Sequence, residues 1–207
     1  MIKATDELAW NRSASRTNAP AWKRTLGFVA EALFLAALLF TLPAQAGTDI
    51  FLALTDISGE SQDTAYAGKI EVQAWSWGMT QSGTMHVGGG AGAGKVSVQD
   101  LTLTKYVDKA SPKLMEACAK GSHKDEAVLT VRKSGDSTNT YIRITMKEVL
   151  VTAVSTGGSG GDDRLTENVT LNFAEVKFEY FATKPDGSEG PSIPFTWNIQ
   201  TNSEGSL

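Results

Sequence analysis

The segment nearest to a reactive motif is Gly88-Gly-Gly-Ala-Gly-Ala-Gly-Lys95. From Gly89 it meets G-x-x-x-x-G-K, the spacing at which backbone amides cradle a phosphate while the lysine reaches its outer oxygens. The next residue is Val96, where a serine or threonine would hold magnesium. The run also leads into an alternating strand, not a helix whose amino end could take the anion. The glycines therefore read as a loop between strands. His86 and His123 each sit beside a loop, with no second ligand at helical or hairpin spacing, which argues against a metal site. Cys118, the single cysteine, falls in a helical stretch and reads as a small core residue, not a nucleophile. Alone it also excludes a disulfide framework and a multi-cysteine zinc site. Asp162-Asp163 lie in a Gly/Ser-rich stretch and read as a solvated turn. The chain thus offers no catalytic set and no cofactor site, and the expectation is that it is not an enzyme.

Trp75-Ser76-Trp77 is informative for a different reason. It ends the run Lys69-Ile-Glu-Val-Gln-Ala-Trp-Ser-Trp77, which alternates with Ile70, Val72 and Ala74 on one side. Alternation places Trp75 and Trp77 together and Ser76 opposite them, toward solvent or a cavity. The two rings read as core or interface packing.

Most of 47–207 has this strand character. Asp49-Ile-Phe-Leu-Ala-Leu54 is a short apolar run, followed by a polar loop over 55–68 that is long for a hairpin. Three alternating stretches change phase once: after Val98 and before Leu101, after Met146 and before Val149, and after Phe173 and before Val176. One inserted residue flips every later side chain, and a β-bulge absorbs such a flip while bending the strand. Three slips predict strands that turn corners, as in a barrel or orthogonal sheets. A turn at each slip is the rival reading, and no Gly or Pro sits at any of them. One helix is signed: Ser111 as its cap, Pro112 at its first helical position, Gly121 at its end, and Leu114, Ala117 and Cys118 as its buried stripe.

Residues 1–46 differ in kind. Lys3, Arg12, Arg16, Lys23 and Arg24 precede an apolar run over 26–42 that only Glu31 interrupts, and Pro43-Ala44-Gln45-Ala46-Gly47 follows. This is the outline of a secretory signal cleaved between Ala46 and Gly47. The uncharged core over 32–42 is short against the ~20 apolar residues of a stable membrane span. The positive region is long for a signal. An amphipathic or unstructured extension, or a later translation start, therefore stays open beside the signal. The division is 1–46 as a signal-like or non-native extension and 47–207 as one domain with a real core.

The whole chain of 207 residues is 41% hydrophobic, with net charge −4. That balance argues against nucleic acid, whose phosphates call for a basic face.

The ordered blocks of 47–207 resemble a known family. They are Asp49-Ile-Phe-Leu, Gly59-Glu60-Ser61, Ala74-Trp-Ser-Trp-Gly-Met-Thr-Gln-Ser-Gly83, Lys95-Val-Ser-Val-Gln-Asp-Leu101 and Thr104-Lys105-Tyr106. The series continues with Asp108-Lys109, Ser111-Pro112, the stretch from Val149 to Gly161, and Glu167-Asn-Val-Thr-Leu-Asn-Phe173. Together they are similar to Hcp, the haemolysin-coregulated tube protein family of type VI secretion. The resemblance implies a mainly β fold, a barrel of two packed antiparallel sheets with one short α-helix on its side. It implies homo-hexameric rings that stack into a tube, with sheath, spike and effector proteins as partners. It implies assembly in the bacterial cytoplasm and secretion to the extracellular space or a target cell. It also implies that Ser76 faces the tube lumen and touches effectors. Family members begin near Asp49, so 1–46 lie outside the resemblance, and export to the periplasm through them is a further expectation. The competing function is an exported periplasmic ligand-binding β-barrel. It is disfavoured because Val, Ile and Leu on the inner face should fill so small a barrel.

Overall fold

The computed structural model of the chain describes residues 47–83, 93–133, 139–161 and 163–207. The signal-like segment with Ala46, His86, the glycines of 88–92 and Asp162 lie outside the described residues.

Among the described residues, ten strands and one helix follow one another: β1 (Thr48–Leu54), β2 (Ile70–Ser76), β3 (Met79–Gly83), β4 (Ala93–Val98), β5 (Leu101–Tyr106), α1 (Ser111–Lys120), β6 (His123–Lys133), β7 (Thr140–Gly157), β8 (Thr166–Asn172), β9 (Glu175–Thr183) and β10 (Glu189–Asn198). β3 and β4 form a two-stranded sheet. The other strands run in the order β10-β9-β7-β6-β1-β2-β5-β8, all antiparallel, and β8 also pairs with β7. That second pairing closes six strands into a barrel and leaves β9 and β10 as an extension along β7. The expected mainly β barrel with one helix on its side is what the described residues form.

Closure depends on β7, whose 18 residues serve two sets of neighbours. Its first part pairs with β6 and β9, and its last part, from Leu150 onward, pairs with β8. β8 ends against it at Leu150↔Asn172, and β9 resumes at Lys147↔Glu175. Glu148 and Val149 are therefore passed by Phe173 and Ala174 without loss of register. Glu148 takes a left-handed φ of 53°, and the Ala174 amide donates to the Lys147 carbonyl at 3.0 Å. Two of the three phase changes are this one corner, seen from its two sides. The expectation of a bulge at each slip is thus corrected. β7 bends at Glu148 while the facing strand breaks into β8 and β9. The slip after Val98 is a two-residue link, Gln99 and Asp100, between β4 and β5, which belong to different sheets. Extra residues fall elsewhere, where register shifts between Val72 and Ala74 against β5 and between Val151 and Ala153 against β8.

The interior is filled by side chains. Leu52, Ile70, Leu101, Leu103, Leu129, Ile144, Met146, Val149, Val169 and Leu171 are buried to 1% exposure or less. α1 packs on β7 through Leu114 and Ala117, and half-buried Cys118 also lies against the core. Gly121 ends the helix with φ 60°, a conformation glycine adopts without a Cβ clash.

Candidate functional site: an uncharged outer face

Ser76 is exposed, and the cause is the irregularity at Gln73. Strict alternation from Ile70 and Val72 would send Ala74 and Ser76 inward. The extra residue reverses the phase, so Ala74 and Ser76 point outward and Trp75 sits opposite buried Leu103. The expectation that Ile70, Val72 and Ala74 share one side fails at this bulge. Trp75 and Trp77 do pack together against the core, with the Trp77 ring 6.2 Å from Phe178.

Ser76 stands at the end of a rung that crosses four strands: Ser76, Thr102, Thr170 and Ala153. The neighbouring rung is Ala74, Thr104, Asn168 and Ser155. These side chains are small and uncharged, on the outward face of β2, β5, β8 and the end of β7. Cross-strand hydrogen bonds join them: the Thr104 hydroxyl donates to Asn168 Oδ1 at 2.7 Å, and the Thr102 and Thr170 hydroxyls lie 3.5 Å apart. The bulge residue Thr152 donates to the Thr170 carbonyl and to Asp100 Oδ2, both at 3.3 Å. Asp100 Oδ1 also accepts from Asn172 Nδ2 at 2.7 Å. At the other end, Arg164 lies over the Tyr106 ring, 4.0 Å from its centroid.

Behind this face the inward rungs of β5 and β8 run Leu101/Leu171, Leu103/Val169 and then Lys105/Glu167. The apolar ladder thus ends in an ion pair with no side-chain exposure on either partner. Lys105 Nζ donates to Glu167 Oε1 at 2.8 Å, to Asp108 Oδ1 at 2.7 Å and to the Tyr106 carbonyl at 2.7 Å, and it lies 3.3 Å from Ser111 Oγ. Glu167 Oε2 is buried with no partner among the described residues. Ser111 belongs to this network and not to a helix cap. The residue before the helix is Ala110, and no side chain caps the first turn. The Ser111 hydroxyl instead accepts from the Asp108 amide at 3.0 Å and donates to Glu167 Oε1 at 2.7 Å. Ser111 is itself the first residue of α1, one place inside the capping position, so its oxygen accepts from Asp108 while its proton makes a charge-assisted bond to the carboxylate.

A second polar cluster pins the 55–68 loop. The Arg132 guanidinium bridges Asp49 and Asp63 and lies over Phe51, whose ring stacks on Tyr66 at 4.5 Å. The hydrogen bond from Arg132 holds the Asp63 carboxyl below its ordinary range, helped by the Ala65 and Tyr66 amides.

The other singled-out residues do not converge. His123 and Asp163 are exposed, and Lys95 is exposed on β4. Among the described residues no three His, Cys, Asp or Glu side chains group as metal ligands, and no helix is long and apolar enough to cross a membrane.

Comparison with known proteins follows the same line. A family model described as "Type VI secretion system effector, Hcp" matches residues 51–180. Protein hcp1 of Pseudomonas aeruginosa is 57% identical over 156 residues, 74% of this chain and 96% of that protein. The crystal structure of Hcp1 from Salmonella typhimurium superposes with a TM-score of 0.65 at 37% identity, over 77% of this chain and 99% of that one. A further solved type six secretion system protein gives a TM-score of 0.72 at 30% identity, over 77% and 100% of the two chains. The barrel closed by β7 is thus shared with solved type VI secretion proteins, and the chain belongs to the Hcp family.

Proposed function

We propose that the chain is a structural subunit of the type VI secretion inner tube. Six copies close into a ring, rings stack, and effectors travel in the lumen against the face that carries Ser76. The observation that carries this reading is where the open polar surface lies. The barrel interior is filled by side chains at 1% exposure or less, while Ser76, Thr102 and Asn168 are exposed on the outer face. A small-ligand barrel would bind inside itself, whereas a tube subunit binds cargo on its outside. Assembly takes place in the cytoplasm beside sheath and spike proteins, and firing delivers the tube outside the cell. A ring needs two different patches of each subunit to meet. Exposed Ile193 and Phe195 on β10, beside Tyr180 on β9, offer an apolar patch for one of them.

Size-exclusion chromatography with light scattering and electron microscopy of the full chain test the proposal. Six-subunit rings are the expected outcome. A monomer at micromolar concentration would sink it in favour of the exported binder. Ser76→Glu should leave the rings intact and lower effector retention; loss of rings in that variant would place Ser76 at a subunit interface. Amino-terminal sequencing of the native protein reads whether the chain starts at Gly47, as removal of a signal after Ala46 requires.

A further inference from the structure

We infer that the cavity between the 55–68 loop, β2 and the end of β5 is a binding site for a guanidinium ion, and that Arg164 occupies the aromatic wall of that site until such a cation displaces it. The inference draws on neither the tube reading nor the lumen reading. The cavity measures about 200 Å³ and is walled by Glu60 and Gln62 from the loop, Glu71 from β2, Tyr106 from the end of β5, Asp108 and Arg164. Its charge is unbalanced. The Glu60 carboxylate takes only the Lys109 amide, at 3.3 Å, and neither it nor Glu71 has a cation within 4.0 Å among the described residues. The Asp108 side chain is 7% exposed. Its Oδ1 accepts from Lys105 and from the Ala110 amide, while Oδ2 accepts nothing among the described residues. Lys105 is shared with Glu167, so four carboxylates meet two cations, Lys105 and Arg164. Arg164 does not correct this. Its guanidinium has no carboxylate within 4.0 Å among the described residues and lies over the Tyr106 ring instead, 4.0 Å from the centroid. The Leu165 carbonyl accepts from the Val107 amide at 2.9 Å, which fixes the backbone of this loop beside Tyr106.

A recess walled mainly by one sign of charge concentrates the opposite ion. Among the described residues the carboxylates do not group as metal ligands, so the acids are spread too widely for one small ion. A flat organic cation spans such a wall. The face of a guanidinium stacks on an aromatic ring while its N–H groups donate to carboxylates, and both contacts gain where solvent is partly excluded. Arg164 shows that the Tyr106 ring takes a guanidinium, but without reaching the acids. A guanidinium from outside the chain takes the ring and the acids together. Arg164 is then an internal competitor, and it lowers the apparent affinity by the fraction of molecules in which the ring is already covered.

The test uses the full chain and two probes, n-butylguanidinium and its uncharged isostere n-butylurea, titrated by calorimetry at low salt. The variants are Glu60→Gln, Glu71→Gln and Arg164→Ala; the two acids sit on different elements, so one misfolded variant does not decide the outcome. The expected result is a Kd of about 1 mM or tighter for the cation and at least about tenfold weaker binding of the urea. Each glutamine variant should weaken the cation about threefold or more, and Arg164→Ala should tighten it by a similar factor. Saturating cation should also raise hydrogen exchange at the Val107 amide, since displacing Arg164 loosens the Leu165 contact. Light scattering with and without the cation tells its natural source: a fall in mass identifies an arginine side chain of a second copy, and an unchanged mass a free guanidinium compound. No heat up to about 20 mM cation, equal binding of the urea, unchanged affinity in both glutamine variants or weaker binding in Arg164→Ala would overturn the inference and leave the tube reading untouched.

Discussion

Replacing Lys105 by methionine should be among the most damaging single changes in the barrel. The ammonium has no exposure and makes three hydrogen bonds of 2.8 Å or less, two of them to carboxylates. At an effective dielectric near 20, the Lys105–Glu167 contact at 2.8 Å is worth about 6 kcal/mol of gross attraction. Much of that is offset by the desolvation of both ions, so the net value of the pair is small. Removing the cation alone is another matter. It leaves Glu167 and Asp108 buried with no positive charge between them, and Oε2 of Glu167 already lacks a partner. Loss of one member of such a pair typically destabilises by about 3–5 kcal/mol, and that is the expected cost of Lys105→Met. Adding Glu167→Leu should return most of it, to within about 2 kcal/mol of wild type, because the rung then continues the leucine ladder above it. Urea melts of the wild type, both single variants and the double variant measure this, with unchanged slopes showing that the same surface unfolds. A cost below about 1 kcal/mol for Lys105→Met, or a double variant as unstable as the two singles combined, would refute the reasoning.

Three further changes probe other parts of the structure. Leu114→Ala should cost about 2–5 kcal/mol through the cavity it leaves under α1, against about 1–3 kcal/mol for Ser111→Ala, which deprives buried Glu167 of a donor; denaturant melts give the order. The Arg132–Asp63 contact should strengthen the 55–68 loop only while Asp63 is ionised. Its folded pKa lies below the ordinary 3.8, so its contribution is complete above that value and disappears as the pH falls through the lowered one. Hydrogen exchange at the Gly59 and Ser61 amides should rise over that acid window in wild type and be high throughout in Asp63→Asn. Gly59→Ala should destabilise the same loop by about 1–3 kcal/mol, since an added Cβ would press against the Lys69 carbonyl and lie 2.5 Å from Ile70 Cα; a thermal melt unchanged from wild type would contradict this.

Much of the barrel was legible because its strands obey a period of two. Leu101 and Leu103, Val169 and Leu171, and Ile144 and Met146 announce their faces directly. Glycine at 121 and the Leu114/Ala117 stripe did the same for the helix. What alternation could not reveal was which strand carried an extra residue. The parity change after Met146 was visible, but a corner shared by two facing strands and a bulge in one strand leave the same mark on a sequence. The shift at Gln73 left almost none, since alanine fits either face. The Ser111 hydroxyl was misread because a serine before proline is a common cap, and its true acceptor lies 56 positions away. Lys105 and Glu167 went unremarked as a pair, although both sit at the inward parity of their strands. A charge at the third step of a leucine ladder is the signal that would have found them.

The sharing of β7 between two sets of neighbours has a consequence for the order of folding. Within β6 to β10 the pairings are β6–β7, β7–β8, β7–β9 and β9–β10, all between strands one or two places apart in the chain. β1 is the opposite case, for it lies between β6 and β2 with about eighty residues separating it from its β6 partners. Loop closure of that length makes docking of β1 the late step, although β1 is synthesised first. Leu129→Ala should then slow refolding, while Leu52→Ala should mainly hasten unfolding. Until β6 exists, β1 has only β2 beside it, and Phe51, Leu52 and Leu54 lack their neighbours on β6. The newly made amino-terminal third is thus the part most exposed to wrong association, and a segment attached ahead of β1 remains accessible to other proteins throughout that interval.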